Sequence, residues 1–264
     1  DEMSSRGLGD VYKRQVTKPS KFMKQYMMDA ALGDDVFQDD PTVQKLENKT
    51  AKLFGKEAGL FCPSGTMTNQ IALLVYLRPG DEVICSSEAH IYNYEGGGIA
   101  RNSSASVRLI NRKSGIIYLD EIIDNINPDD IHYPVSKLVA LENTCNRGGG
   151  NCYPLEEIEK ISKYCQSHKM PMHLDGARLF NALVETKTSS IIMGSFFDSL
   201  SICFSKGLGA PVGSVLIGTK EFIHKARRVR KVLGGGMRQA GMLAAAGIYA
   251  LENNIDRLSV DHSN

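Results

Sequence analysis

Short apolar runs of four to six residues recur along this chain, separated by segments long enough for helices, and this alternation limits the possible folds more than any other feature. The runs are Gly59–Cys62, Glu82–Cys85, Val107–Ile110, Lys137–Leu141, Met170–Leu174, Leu200–Phe204 and Val212–Ile217. Between them lie segments such as Pro154–His168, where Leu155, Ile158 and Ile161 share one helical face. Strands that are apolar throughout are covered on both faces, and helices are what cover them. The pattern therefore predicts an α/β fold with a mostly parallel seven-stranded sheet between helices. In such sheets ligands bind beyond the carboxyl ends of the strands, so those ends are where chemistry is sought.

Local signals fix several helices. Asp40-Pro41 supplies an N-cap and a first-turn proline, and Val43, Leu46, Thr50, Leu53 and Phe54 follow at helical spacing, which predicts a helix near 41–54. Thr68–Leu77 and Lys220–Lys231 read as helices, the latter basic on one side. Gln239–Asn253 is Ala-rich and apolar almost all round, so it belongs inside. Glycine clusters at Gly96–Gly98, Gly148–Gly150, Gly207/Gly209 and Gly234–Gly236 mark places where backbone must approach closely or turn sharply.

Composition excludes whole classes of function. A formal net charge of +1, with 31 basic and 30 acidic residues, creates no field for nucleic acid or an anionic membrane. The longest strongly apolar stretches, Ile71–Leu77 and Met242–Leu251, are far shorter than the roughly 18–20 residues that span a bilayer. Asp1–Gln15 lacks a hydrophobic signal core, which leaves a soluble, cytoplasmic location as the expectation. The six cysteines form no CxxC pair and have no histidine at zinc spacing, so reduced thiols are expected, with neither a disulfide framework nor a metal site.

Three segments carry chemistry. Phe61–Met67 runs from an apolar strand through Ser64, Gly65 and Thr66 into a helix, and a helix start with hydroxyls and free N–H groups suits a phosphate. His173–Arg178 ends a strand in a carboxylate, Asp175, with Arg178 three residues on. Ser201–Gly209 ends the next strand at Ser205-Lys206, and a lysine there is costly unless paired or used. Taken singly, each has an ordinary structural account as a capped helix, a capping aspartate or a lysine reaching to water. Together they match the needs of pyridoxal 5'-phosphate: an amine for a Schiff base, a carboxylate for the ring nitrogen and a phosphate cradle. Gly207-Leu208-Gly209-Ala210-Pro211-Val212-Gly213 does not serve as a dinucleotide fingerprint, because a strand-like run rather than a helix follows it.

An ordered set of segments then points to a family. Val16-Thr17-Lys18-Pro19, Gly33–Phe37, Asp40–Val43, Pro63–Met67, Glu88-Ala89-His90, Leu141–Thr144, His173–Arg178, Ser205–Gly213 and Gly234–Gln239 resemble the low-specificity L-threonine aldolases, fold-type I pyridoxal-phosphate enzymes of the aromatic amino acid β-eliminating lyase/threonine aldolase superfamily. The resemblance runs from about Val16 to the end of the chain. It implies that Lys206 holds the cofactor, Asp175 pairs with its ring nitrogen, and Arg178 lies near ring oxygen and substrate. It also implies that Ser64, Gly65, Thr66 and Ser205 lie around the cofactor, with Gly65 and Thr66 on the phosphate, and that His90 stacks on the ring, placed to take the β-hydroxyl proton. Lys231 and Arg238 match positions that face a neighbouring subunit's site, implying a homodimer or homotetramer with shared active sites.

The implied reaction is retro-aldol cleavage of L-threonine or L-allo-threonine to glycine and acetaldehyde, a step of amino acid metabolism. The alternatives are a β-eliminating lyase of the same fold and a truncated cofactor-binding fragment without activity. Cys145 stands where the family usually has His, and Phe37 where Tyr is common after Asp-Asp-Val. The implied organisation is a non-native leader over 1–15, an N-terminal arm over 16–40, the cofactor-binding large domain over 41–253, and over 254–264 the start of a C-terminal region whose small domain is missing.

Overall fold

The computed structural model describes residues 18–258; the leader expected over 1–15, the Val16-Thr17 motif and residues 259–264 lie outside that range. All seven apolar runs form strands: β1 Ala58–Cys62, β2 Asp81–Ser86, β3 Ser106–Ile110, β4 Val135–Glu142, β5 Met172–Gly176, β6 Ser199–Cys203 and β7 Ser214–Gly218. They make one sheet in the order β1-β7-β6-β5-β4-β2-β3. The five strands from β6 to β3 are parallel, while β7 runs antiparallel to both β6 and β1. The expected mostly parallel α/β sheet is what the chain forms.

Strand residues enter apolar cores on both faces of the sheet, which is why the strands are mostly apolar. Phe61, Ile84, Val139, Leu141, Leu174, Val215 and Ile217 pack with the helices Pro41–Leu53, Leu155–Ser167, Leu179–Thr186 and Gly241–Asn253. On the other face Leu60, Cys62 and Leu216 pack with the helices Gly65–Tyr76 and Lys220–Val232, and Val83, Cys85, Leu138 and Ala140 pack with Leu73 and Leu77. The Ala-rich helix is buried, as its composition predicts, through Ala244, Ala245, Ala246, Ile248 and Ala250.

Asp40 shows how a local cap becomes a tertiary joint. Its Oδ1 accepts the Thr42 and Val43 N–H groups, both at 3.0 Å, which starts the helix Pro41–Leu53. Its Oδ2 accepts from Gly33 N at 3.2 Å and from Gly241 N at 2.9 Å. One fully buried carboxylate thus joins the N-terminal segment, the first long helix and the last one. A side chain at Gly241 would put its Cβ 2.5 Å from Asp40 Oδ1, so only glycine allows the joint.

Strand direction positions the site. Because β7 is antiparallel to both neighbours, β1 points the same way as β6, β5 and β4. Register aligns their ends: Cys62 and Cys203 both pair with Ser214, Asp175 with Ser201, and Glu142 with Asp175. Everything that follows β1, β4, β5 and β6 emerges on one edge of the sheet.

Candidate active site

The helix Gly65–Tyr76 starts immediately beyond β1. Ser64 caps it, its Oγ accepting from Met67 N at 3.2 Å, while the Thr68 N–H bonds Ser64 O at 3.2 Å. The Gly65 and Thr66 N–H groups are first-turn donors with no intrahelical acceptor, at the positive end of the helix dipole. Ser64 and Thr66 are exposed beside them. Four and five residues beyond Ser64 the same helix returns to the sheet. Thr68 Oγ1 lies 2.6 Å from Ser201 Oγ of β6, and Asn69 Nδ2 donates to Asp175 Oδ2 of β5 at 2.8 Å.

Asp175 is buried at the end of β5, where its Oδ1 accepts from Ala177 N at 3.1 Å. Gly176 follows because a Cβ there would lie 2.7 Å from the Ser201 carbonyl oxygen. Behind Asp175, His173 fixes the orientation of Asn69. Burial pushes the His173 imidazole down to about 4, so it is neutral. Ser199 Oγ lies 2.9 Å from its Nδ1, and its Nε2 lies 3.0 Å from Asn69 Oδ1. An amide oxygen can only accept, so Nε2 carries the hydrogen and the Asn69 NH2 must face Asp175.

His90 opens the short helix His90–Asn93 after β2 and is half-buried. Its Nδ1 lies 3.0 Å from Glu95 Oε1, and polar atoms of His90, Glu95 and Asp175 all fall within 4.8 Å of one another. The hydrogen bond to Glu95 is the largest influence on this imidazole and raises its pKa; burial opposes it, Asp175 and Glu95 add to it, and the positive charge of Lys206 lowers it. Asp175 and Lys206 are therefore both close enough to act on one imidazole. Lys206 itself is half-buried in the turn beyond β6. Ser205 Oγ, beside it, lies 3.3 Å from Cys203 Sγ.

Arg178 is partly buried, which lowers its pKa, while Glu142 and Asp175 hold its charge in place. With Thr144, Asn146, Asn181 and Gly207 it lines an open cavity of about 460 Å³ next to Lys206. Glu142, the last residue of β4, accepts from His90 N at 2.9 Å and Asn146 N at 3.2 Å. Burial, and then the negative charge of Asp175, push its carboxyl up.

Lys231 and Arg238 do not join this cluster. Lys231 is exposed and lines a separate cavity of about 560 Å³ with His224, Arg227 and Arg228. Arg238 pairs with Asp34 at 2.7 Å, and its guanidinium sits 5.8 Å from the centre of the Phe37 ring. Cys145 is fully buried, and a Cβ on Gly115 would fall 1.8 Å from its sulfur, so the thiol is packed against that glycine.

The sequence pattern of the beta-eliminating lyase family matches residues 15–264. The chain is 45% identical over 256 residues to the low specificity L-threonine aldolase of Escherichia coli (strain K12), covering 97% of this chain and 76% of that protein. The chain belongs to the low-specificity L-threonine aldolase and beta-eliminating lyase family. The low-specificity L-threonine aldolase 1 of Arabidopsis thaliana is 42% identical, over 96% of this chain and 72% of its own length. Among solved structures, the threonine aldolase of Leishmania major superposes with a TM-score of 0.81 at 25% identity, covering 95% of this chain and 74% of that one. The fold is thus that of the fold-type I pyridoxal-phosphate large domain. No helix among the described residues is long and apolar enough to cross a membrane.

The family's cofactor fits the residues present. Ser214 Oγ is buried with no hydrogen-bond partner among the described residues, 3.6 Å from where a Gly65 Cβ would stand, so an unused hydroxyl lies at the helix start. The donor set is suited to the group: N–H and hydroxyl donors for a phosphate, a carboxylate held by two N–H groups, an amine and an imidazole. Sequence motifs contained Asp175, Lys206, His90 and the Ser64–Thr66 turn, but reading them missed Asn69, Gln70 and Glu95. One signal was available: Thr68-Asn69-Gln70 is a polar run on a helix that is otherwise apolar and buried.

Proposed function

We propose that this protein catalyses retro-aldol cleavage of L-threonine or L-allo-threonine to glycine and acetaldehyde. What supports this most is the meeting of His90, Glu95 and Asp175, whose polar atoms lie within 4.8 Å of one another at the sheet edge where the Gly65 helix begins and beyond which Lys206 lies. Lys206 would hold the cofactor covalently. Ser64, Gly65 and Thr66, with Ser205 nearby, would hold its phosphate, and Asp175 its ring nitrogen. Bound there, pyridoxal phosphate supplies a carbonyl for the substrate amine and a ring that accepts the electron pair freed at Cα.

The chain's own groups do the rest. His90 Nε2, which has no protein partner among the described residues, takes the β-hydroxyl proton as the Cα–Cβ bond breaks. Asp175, anchored by Asn69 and Ala177, would face the cofactor's ring nitrogen and hold a proton there. Arg178 directs its charge toward the substrate from the cavity wall, and acetaldehyde leaves through the opening lined by Thr144 and Gly207. The proton that His90 took from the hydroxyl balances the one returned to Cα, which completes glycine.

Because the Cys145 thiol is packed against Gly115, it contributes nothing to the substrate hydroxyl, which leaves that task to His90. Lys231 and Arg238, exposed and outside the cluster, complete the site of a second copy in a homodimer or homotetramer. The test is Lys206→Ala. It should abolish both the visible absorbance of bound cofactor and the formation of glycine and acetaldehyde; retention of turnover would remove the proposal. Ammonia release from tyrosine or tryptophan, with no acetaldehyde from threonine, would favour the β-eliminating alternative.

A further inference from the structure

Glu95 has a buried carboxylate for which the proposed chemistry has no direct use. Its side chain is 0% exposed. It accepts three hydrogen bonds: from Asn69 Nδ2 at 2.9 Å and His90 Nδ1 at 3.0 Å on Oε1, and from Gln70 Nε2 at 2.6 Å on Oε2. None of these orientations is free to reverse. Asn69 Oδ1 is taken by His173, and Gln70 Oε1 accepts from Asn102 Nδ2 at 2.9 Å. A carboxylate only accepts, so the hydrogen of a neutral His90 resides on Nδ1. The glycines at 96–98 make room for this arrangement. Gly96 and Gly97 turn the chain at φ of +62° and +70°, and the Gln70 amide occupies the place of a Gly98 Cβ, with Oε1 at 2.3 Å.

We infer that Glu95 is a positioning residue: it fixes the ring and tautomer of His90 so that Nε2 is the unprotonated nitrogen presented to the substrate hydroxyl. The inference deepens the aldolase proposal and rests on it for the identity of the proton donor. Asn69 donates from one NH2 group to both Glu95 and Asp175, so the anchor of the imidazole and Asp175 share a single brace. The other charged groups facing His90 are Asp175, Lys206 and Glu142, with Arg147 stacked on Tyr94 beyond them. Among the described residues, only Glu95 bonds the imidazole itself.

The test labels the histidines with 15N in protein loaded with pyridoxal phosphate and identifies His90 by the signal lost in His90→Gln. Neutral His90 should be the Nδ1–H tautomer and titrate above an ordinary imidazole. In Glu95→Gln its midpoint should fall by about one pH unit or more and the tautomers should mix. The acid limb of kcat/KM should move with it, while Glu95→Asp keeps part of the effect. An Nε2–H tautomer in the unaltered protein would overturn the inference, as would a Glu95→Gln protein with His90 unmoved. If Glu95→Gln does not fold, the tautomer of the unaltered protein decides. If no β-hydroxy amino acid is cleaved, the aldolase proposal fails separately, and the tautomer and midpoint still decide the role of Glu95.

Discussion

Replacing Asp175 by Asn tests the centre of the site with the smallest change of shape. The amide oxygen can still accept from Ala177 N, but its NH2 then faces Asn69 Nδ2, 2.8 Å from the oxygen it replaces. Asn69 cannot turn to accept, because its oxygen is held by His173 and its NH2 also serves Glu95. Two donors in buried contact cost about 1–3 kcal/mol. At roughly 2–4 °C per kcal/mol for a chain of this size, that is a fall in Tm of about 2–12 °C. The cofactor meanwhile loses a charge-assisted hydrogen bond of about 1.5–3 kcal/mol, or roughly 10- to 150-fold in Kd. Titrating the variant with pyridoxal phosphate and following absorbance gives the Kd, and threonine cleavage gives kcat. A folded Asp175→Asn protein with unchanged cofactor affinity and turnover would show that Asp175 does not face the ring nitrogen.

Two further outcomes follow from buried charges. Glu142 has a raised pKa from burial and from Asp175, so between the ordinary glutamate value and about 7 the folded chain keeps a proton that the unfolded chain loses. Stability therefore declines as pH rises through that window. Glu142→Gln should cost about 1–3 kcal/mol, since one of two N–H groups loses its acceptor, yet give a flatter plot of Tm against pH there. An unchanged slope in thermal melts would place the effect elsewhere. Arg230 pairs with Asp35 at 2.7 Å and donates to Phe61 O at 2.7 Å, with both charged side chains 3% exposed. Arg230→Ala should cost about 3–5 kcal/mol in denaturant unfolding, because Asp35 is left buried with only Arg227 at 3.9 Å; a loss below about 1 kcal/mol would contradict this.

The strands were legible because burial on both faces leaves few polar positions, and each apolar run became a strand within two residues of its expected ends. Helix starts were legible where a capping side chain acts within its own turn, as Asp40 and Ser64 do. The candidate site was legible in part for a related reason: Asp175 lies at the end of β5 and Lys206 in the turn beyond β6, and β5 and β6 are parallel, so their ends share an edge. The resemblance to the threonine aldolases then added the roles proposed for them.

Sequence by itself determined which residues are available and that they follow apolar strands or open helices, since period and capping are local properties. Tertiary structure alone decided how they are oriented. The helix Gly65–Tyr76 crosses from β1 to β5, and that crossing brings Asn69 against Asp175 and Glu95, residues separated from it by 106 and 26 positions. It also decided that Cys145 turns toward Gly115 and that Arg238 pairs with Asp34 outside the cluster. Hydrogen bonds between distant segments depend on angles and separations of a few ångströms, and these are set only when the sheet and its two helical layers have packed.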